Sequence, residues 1–390
     1  MMYFMKKETL VTTIGREPYK NSGVVNPPVY RASTILFHTL EEFENCESGD
    51  GIYPLVYGRS GTPSTRALEE SLATLDGADH AIVTSSGQAA LVVGLMGILS
   101  HGDHVLITDN VYGSIRKFCK YELARFGVEI TFFDPMIDDI TPLLKANTKM
   151  VYCEAPGSLT FEVQDIKKIA KAAHAHGAVV MVDNTWATPL YLCAKDVGAD
   201  ITVHSCTKYL SGHSDLVMGL VTCSKKYFPQ LRRVFRNLGS SPGSEEVYLV
   251  ARGLRTLPTR LKQHQETGIA LAKWFEKRPE VAKVLHPAFA SCPGHENWKR
   301  DFKGASGLFG VLLKPYPHKA LAAMMDDMKL FGMGFSWGGY ESLMIPFVPE
   351  RTASKWKHDG ICLRVNAGLE HIDDLIADLE AGFKRLNAAA

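Results

Sequence analysis

Ala178-Val179-Val180-Met181-Val182-Asp183-Asn184-Thr185 is an unbroken apolar run that ends in a carboxylate. A half-exposed strand would alternate polar and apolar residues. A run without that break suits a parallel strand covered on both faces. Similar short runs fall at 81–84, 104–108, 129–133, 149–153, 200–204 and 217–222, separated by helical patterns. With 178–183 they make a βαβ rhythm, which predicts an α/β fold with a mainly parallel, seven-stranded sheet between helices. Asp183 then sits at the carboxyl end of its strand, the edge where open α/β sheets bind ligands. A carboxylate there can keep a pyridine nitrogen protonated, because an opposite charge favours the charged form. Taken alone, Asp183 fits a turn or capping aspartate as well.

The strand at 200–204 leads into Ser205-Cys206-Thr207-Lys208. A lysine past a strand end, with hydroxyls one and three residues before it, has what a pyridoxal phosphate site needs. The amine forms a Schiff base with the aldehyde, and Ser205 and Thr207 donate to the phosphate. A surface lysine beside Ser and Thr is the alternative. Upstream, 81–84 ends in Ser85-Ser86-Gly87-Gln88 and opens an Ala- and Leu-rich helix. Free N–H groups at Gly87 and Gln88, with the positive end of the helix dipole, can hold a phosphate, and Gly87 permits close approach. Ordinary capping is the competing reading. Tyr112, after the run 104–108, can lie on a cofactor ring or simply half-bury in a loop. The order of phosphate turn, aromatic, aspartate and lysine is far more specific than any single member.

On these residues the chain resembles the Cys/Met-metabolism family of pyridoxal phosphate enzymes, of fold type I. The resemblance runs from Val25-Asn26-Pro27-Pro28-Val29 to Gly368-Leu369-Glu370 and beyond. It rests on Tyr57-Gly58-Arg59, Ser86-Gly87, Val182-Asp183-Asn184-Thr185, Thr207-Lys208-Tyr209, Gly212-His213-Ser214-Asp215 and Arg252-Gly253-Leu254-Arg255-Thr256-Leu257. Within the family, Ser336-Trp337-Gly338-Gly339-Tyr340-Glu341-Ser342 is similar to the β-lyase branch, and no acidic residue precedes Ser336 as it does in γ-acting members. Phe335 departs from the tyrosine usual there. Ser114 stands where methionine γ-lyases carry a cysteine.

The resemblance implies β-elimination of L-cystathionine to homocysteine, pyruvate and ammonia. It leaves open a broader cysteine-S-conjugate lyase or cysteine desulfhydrase, with or without alanine racemase activity. Cystathionine γ-lyase, γ-synthase and a non-catalytic cofactor-binding regulator stand further off. It also implies roles. Lys208 holds pyridoxal 5′-phosphate and then moves protons; Asp183 pairs with the ring nitrogen; Tyr112 stacks. Tyr57 and Arg59 reach the phosphate from a neighbouring subunit. Arg364 takes the substrate carboxylate, a planar task suited to guanidinium. Ser336 and Trp337 flank the lysine and substrate, and Tyr248 approaches from the neighbour. Sites built by two chains fit a closed symmetric assembly, with a homotetramer as the family's usual state.

The 390 residues suffice for two or three domains. The expected division is a subunit-embracing arm at 1–60, where Gly23, Pro27, Pro28 and Pro54 mark turns, a cofactor domain at 61–254 and a smaller α/β domain at 255–390. In the last, a long helical pattern at 245–277 carries Pro258 as a kink or start. Strands are expected near 281–285, 307–313 and 361–365, and helices near 318–327 and 371–386. Forty-three basic against 42 acidic side chains leave a net charge of +1, which gives no support to nucleic-acid binding. Eight cysteines without a C-x-x-C pair point to free thiols rather than a metal cage or disulfides. His174 and His176, two apart, share no helical face and read as surface residues. The N-terminus lacks an apolar core of signal length, and the window 81–99 is broken by Thr84, Ser85, Ser86 and Gln88. A cytoplasmic enzyme with a small amino-acid substrate, no metal and no membrane partner is the expectation.

Overall fold

A computed structural model describes residues 5–46 and 55–390, so Pro54 and the first four residues lie outside the described residues. Seven strands form the larger sheet: β1 His80–Thr84, β2 His104–Thr108, β3 Glu129–Phe133, β4 Thr148–Glu154, β5 Val179–Asp183, β6 Ile201–Ser205 and β7 Gly219–Cys223. Their spatial order is β1-β7-β6-β5-β4-β2-β3. β7 runs antiparallel to both β1 and β6, and every other pairing is parallel.

The apolar run that predicted β5 behaves as a doubly covered strand should. Val179 and Met181 pack beneath the helices Gly87–Ile98 and Phe228–Leu238. Val180 and Val182 point the other way, beneath the helix Ile166–His176. All four are buried, each contributing roughly 1.5–3 kcal/mol of hydrophobic stabilisation. Gly77, Gly177 and Gly239 end their helices in the left-handed conformation and turn the chain back toward the sheet.

A second, antiparallel sheet has the order β10-β11-β9-β8, with β8 Val281–Leu285, β9 Leu308–Leu313, β10 Leu343–Phe347 and β11 Cys362–Asn366. The helices Leu257–Glu276, His318–Met325 and Ile372–Ala388 pack over it around Phe275, Phe309 and Phe383. Two features differ from the sequence reading. The pattern at 245–277 is two helices, Ser244–Leu254 and Leu257–Glu276, and Pro258 lies in the first turn of the second, where its missing N–H costs nothing. β10 was not foreseen. It carries Pro346, which an edge strand tolerates because one side needs no donor.

Much of the N-terminal segment rests on its own chain. Val11 of the helix Lys7–Thr13 is fully buried against Leu68 and Leu72, and Arg255 donates to the carbonyls of Val11 and Ile14. Val24, Val25, Leu36, Leu40 and Phe43 stay exposed.

Candidate active site

Lys208, Asp183, Gly87 and Tyr112 converge on one edge of the larger sheet because each follows the carboxyl end of a strand. β6 ends at Ser205, and the chain turns so that Lys208 N–H donates to Ser205 O. The Lys208 amine donates to Ser336 Oγ at 2.9 Å and sits 5.4 Å above the Trp337 ring. Its pKa is lowered to about 8, first by burial and then by the nearby Arg364 charge, with Asp183 opposing both.

Asp183 ends β5 and is buried. Its Oδ1 accepts from Thr185 N–H at 2.9 Å and from Thr185 Oγ1 at 2.5 Å, while Thr185 Oγ1 accepts from Ser205 N–H at 2.9 Å. Thr185 thus ties the carboxylate to the lysine strand, and Oδ2 takes no bond among the described residues. Beside it in register stands Glu154, the last residue of β4. Burial raises the pKa of both carboxyls. The Asp183 charge pushes Glu154 well up, whereas Thr185, His204 and Lys208 pull Asp183 back down. Two neighbouring buried carboxyls oppose each other's ionisation, and Glu154 is the one pushed further up. Glu154 Oε2 accepts from Tyr112 N–H at 2.7 Å. Tyr112 is itself 46% exposed, on the open side of the site.

The turn after β1 is shaped for close approach. A Cβ on Gly87 would lie 2.7 Å from Ser205 Cβ and 2.8 Å from its Oγ. Ser86 caps the helix by accepting from Ala89 N–H, and the N–H groups of Gly87 and Gln88 keep no acceptor among the described residues. Gln88 Oε1 is buried without a partner. The Thr207 hydroxyl bridges to the residue just before β7, donating to Met218 O and accepting from Met218 N–H.

The smaller sheet contributes the far wall. Arg364 on β11 spends Nη2 on the carbonyls of Gly334, Phe335 and Ser336 at 3.0, 2.8 and 2.9 Å, and its Nε and Nη1 make no such bond. Burial lowers the Arg364 pKa to about 10, which still leaves it charged. Asn366 accepts from Gly338 N–H and donates to Glu341 O. Gly338, at φ +83°, lies so near the lysine that a Cβ would meet Tyr209 N at 3.0 Å and Lys208 C at 3.1 Å. Trp337 packs edge-on against Tyr209. A cavity lined by Glu154, Asp183, Thr185, Trp337 and Arg364 opens among these groups.

Tyr57, Arg59 and Tyr248 do not join this constellation within the chain. Tyr57 bridges to Thr34, and Arg59 donates to Arg236 O. Tyr248 lies half-buried on the helix Ser244–Leu254. Sequence reading missed Glu154, Thr185, Gly338 and Asn366. Glu154 carried the same signal as Asp183, an apolar run closed by a carboxylate. Thr185 and Gly338 stand inside motifs that carried the resemblance, but their contacts with Ser205 and Lys208, like that of Asn366 with Gly338, form only on folding. His174 and His176 are exposed, bonding Asp200 and Lys145 O, and no metal-holding cluster occurs among the described residues.

The donors match a phosphorylated aldehyde with a basic ring nitrogen. An amine of lowered basicity would suit the aldehyde, a buried carboxylate the nitrogen, and a Cβ-free turn with unused N–H groups the phosphate. Fold and site therefore define a pyridoxal phosphate enzyme of fold type I. The chain matches the model for the Cys/Met metabolism PLP-dependent enzymes over residues 8–384 and belongs to that family, with pyridoxal 5′-phosphate as cofactor. It is 40% identical to a cystathionine β-lyase of Salmonella typhimurium over 388 residues, covering 97% of this chain and 98% of the relative. It is 42% identical to an L-alanine/L-glutamate racemase of Wolbachia pipientis wMel, covering 98% of each. A cystathionine γ-synthase of Xanthomonas oryzae pv. oryzae, crystallised with cystathionine, superposes with a TM-score of 0.89 at 29% identity, covering 99% of this chain and 100% of that one.

Proposed function

We propose that this enzyme is a carbon–sulfur lyase that cleaves L-cystathionine by β-elimination, giving homocysteine, pyruvate and ammonia. The observation that carries the reading is the Ser336-Trp337-Gly338 segment folded onto the Lys208 backbone, with no acidic side chain at 335. Bound here, pyridoxal phosphate supplies an electron-poor ring that stores the charge left when an amino acid's α-proton departs. The chain's own groups do the rest. Arg364 offers Nε and Nη1 to the substrate carboxylate and fixes the α-carbon over the lysine. The Lys208 amine, poised near 8, takes the α-proton and returns it to the departing sulfur. Ser336 Oγ holds that amine at 2.9 Å, and the Trp337 ring beside it narrows the distal pocket. With the cofactor bound, Asp183 would keep the ring nitrogen charged, Gly87, Gln88, Ser205 and Thr207 would hold the phosphate, and Tyr112 would lie on the ring.

A homotetramer in the cytoplasm completes the proposal, with Tyr57, Arg59 and Tyr248 entering a neighbour's site. The exposed apolar residues at 24–43 support an arm that docks on another copy. Eight free cysteines suit a reducing compartment. The arm at 1–60, the cofactor domain at 61–254 and the small domain at 255–390 are the corresponding division. A second reading is amino-acid racemisation, favoured by the 42% identity to the Wolbachia racemase and sharing the same α-proton removal. Product analysis decides between them. Pyruvate and homocysteine should appear one for one from L-cystathionine and vanish in Lys208→Ala. Formation of 2-oxobutyrate and cysteine points to a γ-lyase, and D-alanine from L-alanine without pyruvate points to a racemase.

A further inference from the structure

The connection between β10 and β11, residues 348–361, does not stay over its own sheet. It crosses to the larger sheet and grips the loop that carries Tyr112. Asp109, the first residue after β2, is 1% exposed. Its Oδ2 accepts from the N–H groups of Thr352 and Ala353, both at 2.8 Å, and its Oδ1 accepts from Thr352 Oγ1 at 2.9 Å. Arg116, also 1% exposed, pairs with Asp109 at 2.8 Å and donates to Thr352 Oγ1 at 2.8 Å, its guanidinium lying 4.0 Å from the Phe132 ring. Arg116 N–H donates to Tyr112 O, one helical turn back.

A second anchor stands beside the first. Arg351 pairs with Glu162 at 2.5 Å and donates to Thr160 Oγ1 at 2.7 Å. The same Glu162 accepts from Asn110 Nδ2 at 3.2 Å, and Asn110 Oδ1 accepts from Gln164 at 2.9 Å. Two consecutive residues of the Tyr112 loop, Asp109 and Asn110, are therefore held from the 350–354 strap, directly or through Glu162.

Burying two ion pairs is a poor way to gain stability, since desolvation offsets the attraction; what such pairs supply is a fixed geometry. The strap also continues into β11, which bears Arg364. We propose that residues 351 and 352 position Tyr112 for the cofactor ring and set its distance from Arg364, so that Thr352 is a positioning residue for the reaction. The inference rests on Tyr112 being the ring-covering residue.

The test is a double-mutant cycle with two readouts, the Kd of the apoprotein for pyridoxal phosphate and kcat on L-cystathionine. Thr352→Val removes the hydroxyl and keeps the shape. It should weaken both by about tenfold in the natural background, as a small misplacement near reacting groups does. Thr352→Ser should restore both. In the Tyr112→Ala background, Thr352→Val should change either quantity less than about twofold. Equal losses in both backgrounds would overturn the proposal and leave the strap a structural brace. No loss in Tyr112→Ala alone would instead overturn the role of Tyr112, and the proposal with it. If Thr352→Val does not fold, Arg116→Lys, which keeps the charge and loses the bidentate fork, serves in the same cycle.

Discussion

The Lys208 amine is predicted to react with the cofactor in a pH-dependent way set by its burial and, second, by Arg364. Its pKa is about 8 rather than the ordinary 10.5. That gap is worth about 3 kcal/mol against the ammonium form, and at pH 7 it raises the neutral amine from about 0.03% to about 10% of molecules. Only the neutral amine attacks an aldehyde, so cofactor uptake by the apoprotein should rise with pH through a midpoint near 8. Arg364→Leu removes the second cause of the lowering and leaves burial, the larger one. The midpoint should move up yet stay below 10.5, and uptake at pH 7 should slow about three- to tenfold. Asp183→Asn removes the opposing charge and should move it down. The rate is read from the visible absorbance of the bound cofactor after rapid mixing, with no substrate present, so loss of substrate binding by Arg364→Leu does not enter. An unmoved midpoint in Arg364→Leu, or a natural midpoint near 10.5, would show that the amine is neither desolvated nor paired as described.

Gly338→Ala should cost about 1–3 kcal/mol of stability in urea unfolding and at least tenfold in kcat, because it adds a Cβ at positive φ against the Lys208 backbone; an unchanged kcat would contradict that contact. Gly87→Ala should weaken pyridoxal phosphate binding about tenfold, since the new methyl meets Ser205 at 2.7 Å; equilibrium titration of the apoprotein reads it. Glu154 is raised in the fold, so the folded apoprotein binds its proton more tightly than the unfolded chain. The stability it contributes is full below about pH 4.3, the unfolded value, and falls as pH rises above that. Glu154→Gln keeps an acceptor for Tyr112 N–H and should flatten that fall; parallel slopes of unfolding free energy against pH would count against the assignment.

Seven strands, their α/β order and the four residues at their carboxyl ends were all readable from local pattern. Buried parallel strands must be apolar throughout, and the site residues follow the points where that apolarity stops. The antiparallel turn of β7, the edge strand β10 with its Pro346 and the break at 255–256 were not readable in that way. Each depends on what lies alongside, which periodicity does not encode. The same division runs through the site. Lys208 and Asp183 announce themselves by position. Resemblance to a family singled out Arg364, and only folding showed which of its nitrogens remain for a ligand. Glu154 comes to stand beside Asp183, where each carboxyl opposes the other's ionisation, only when β4 and β5 align in register. The strap that holds Asp109 lies 243 residues along the chain. Contacts of that separation are fixed by how two packed sheets meet, because the chemistry of burying Asp109, Arg116 and Thr352 together has no expression in any one stretch of sequence.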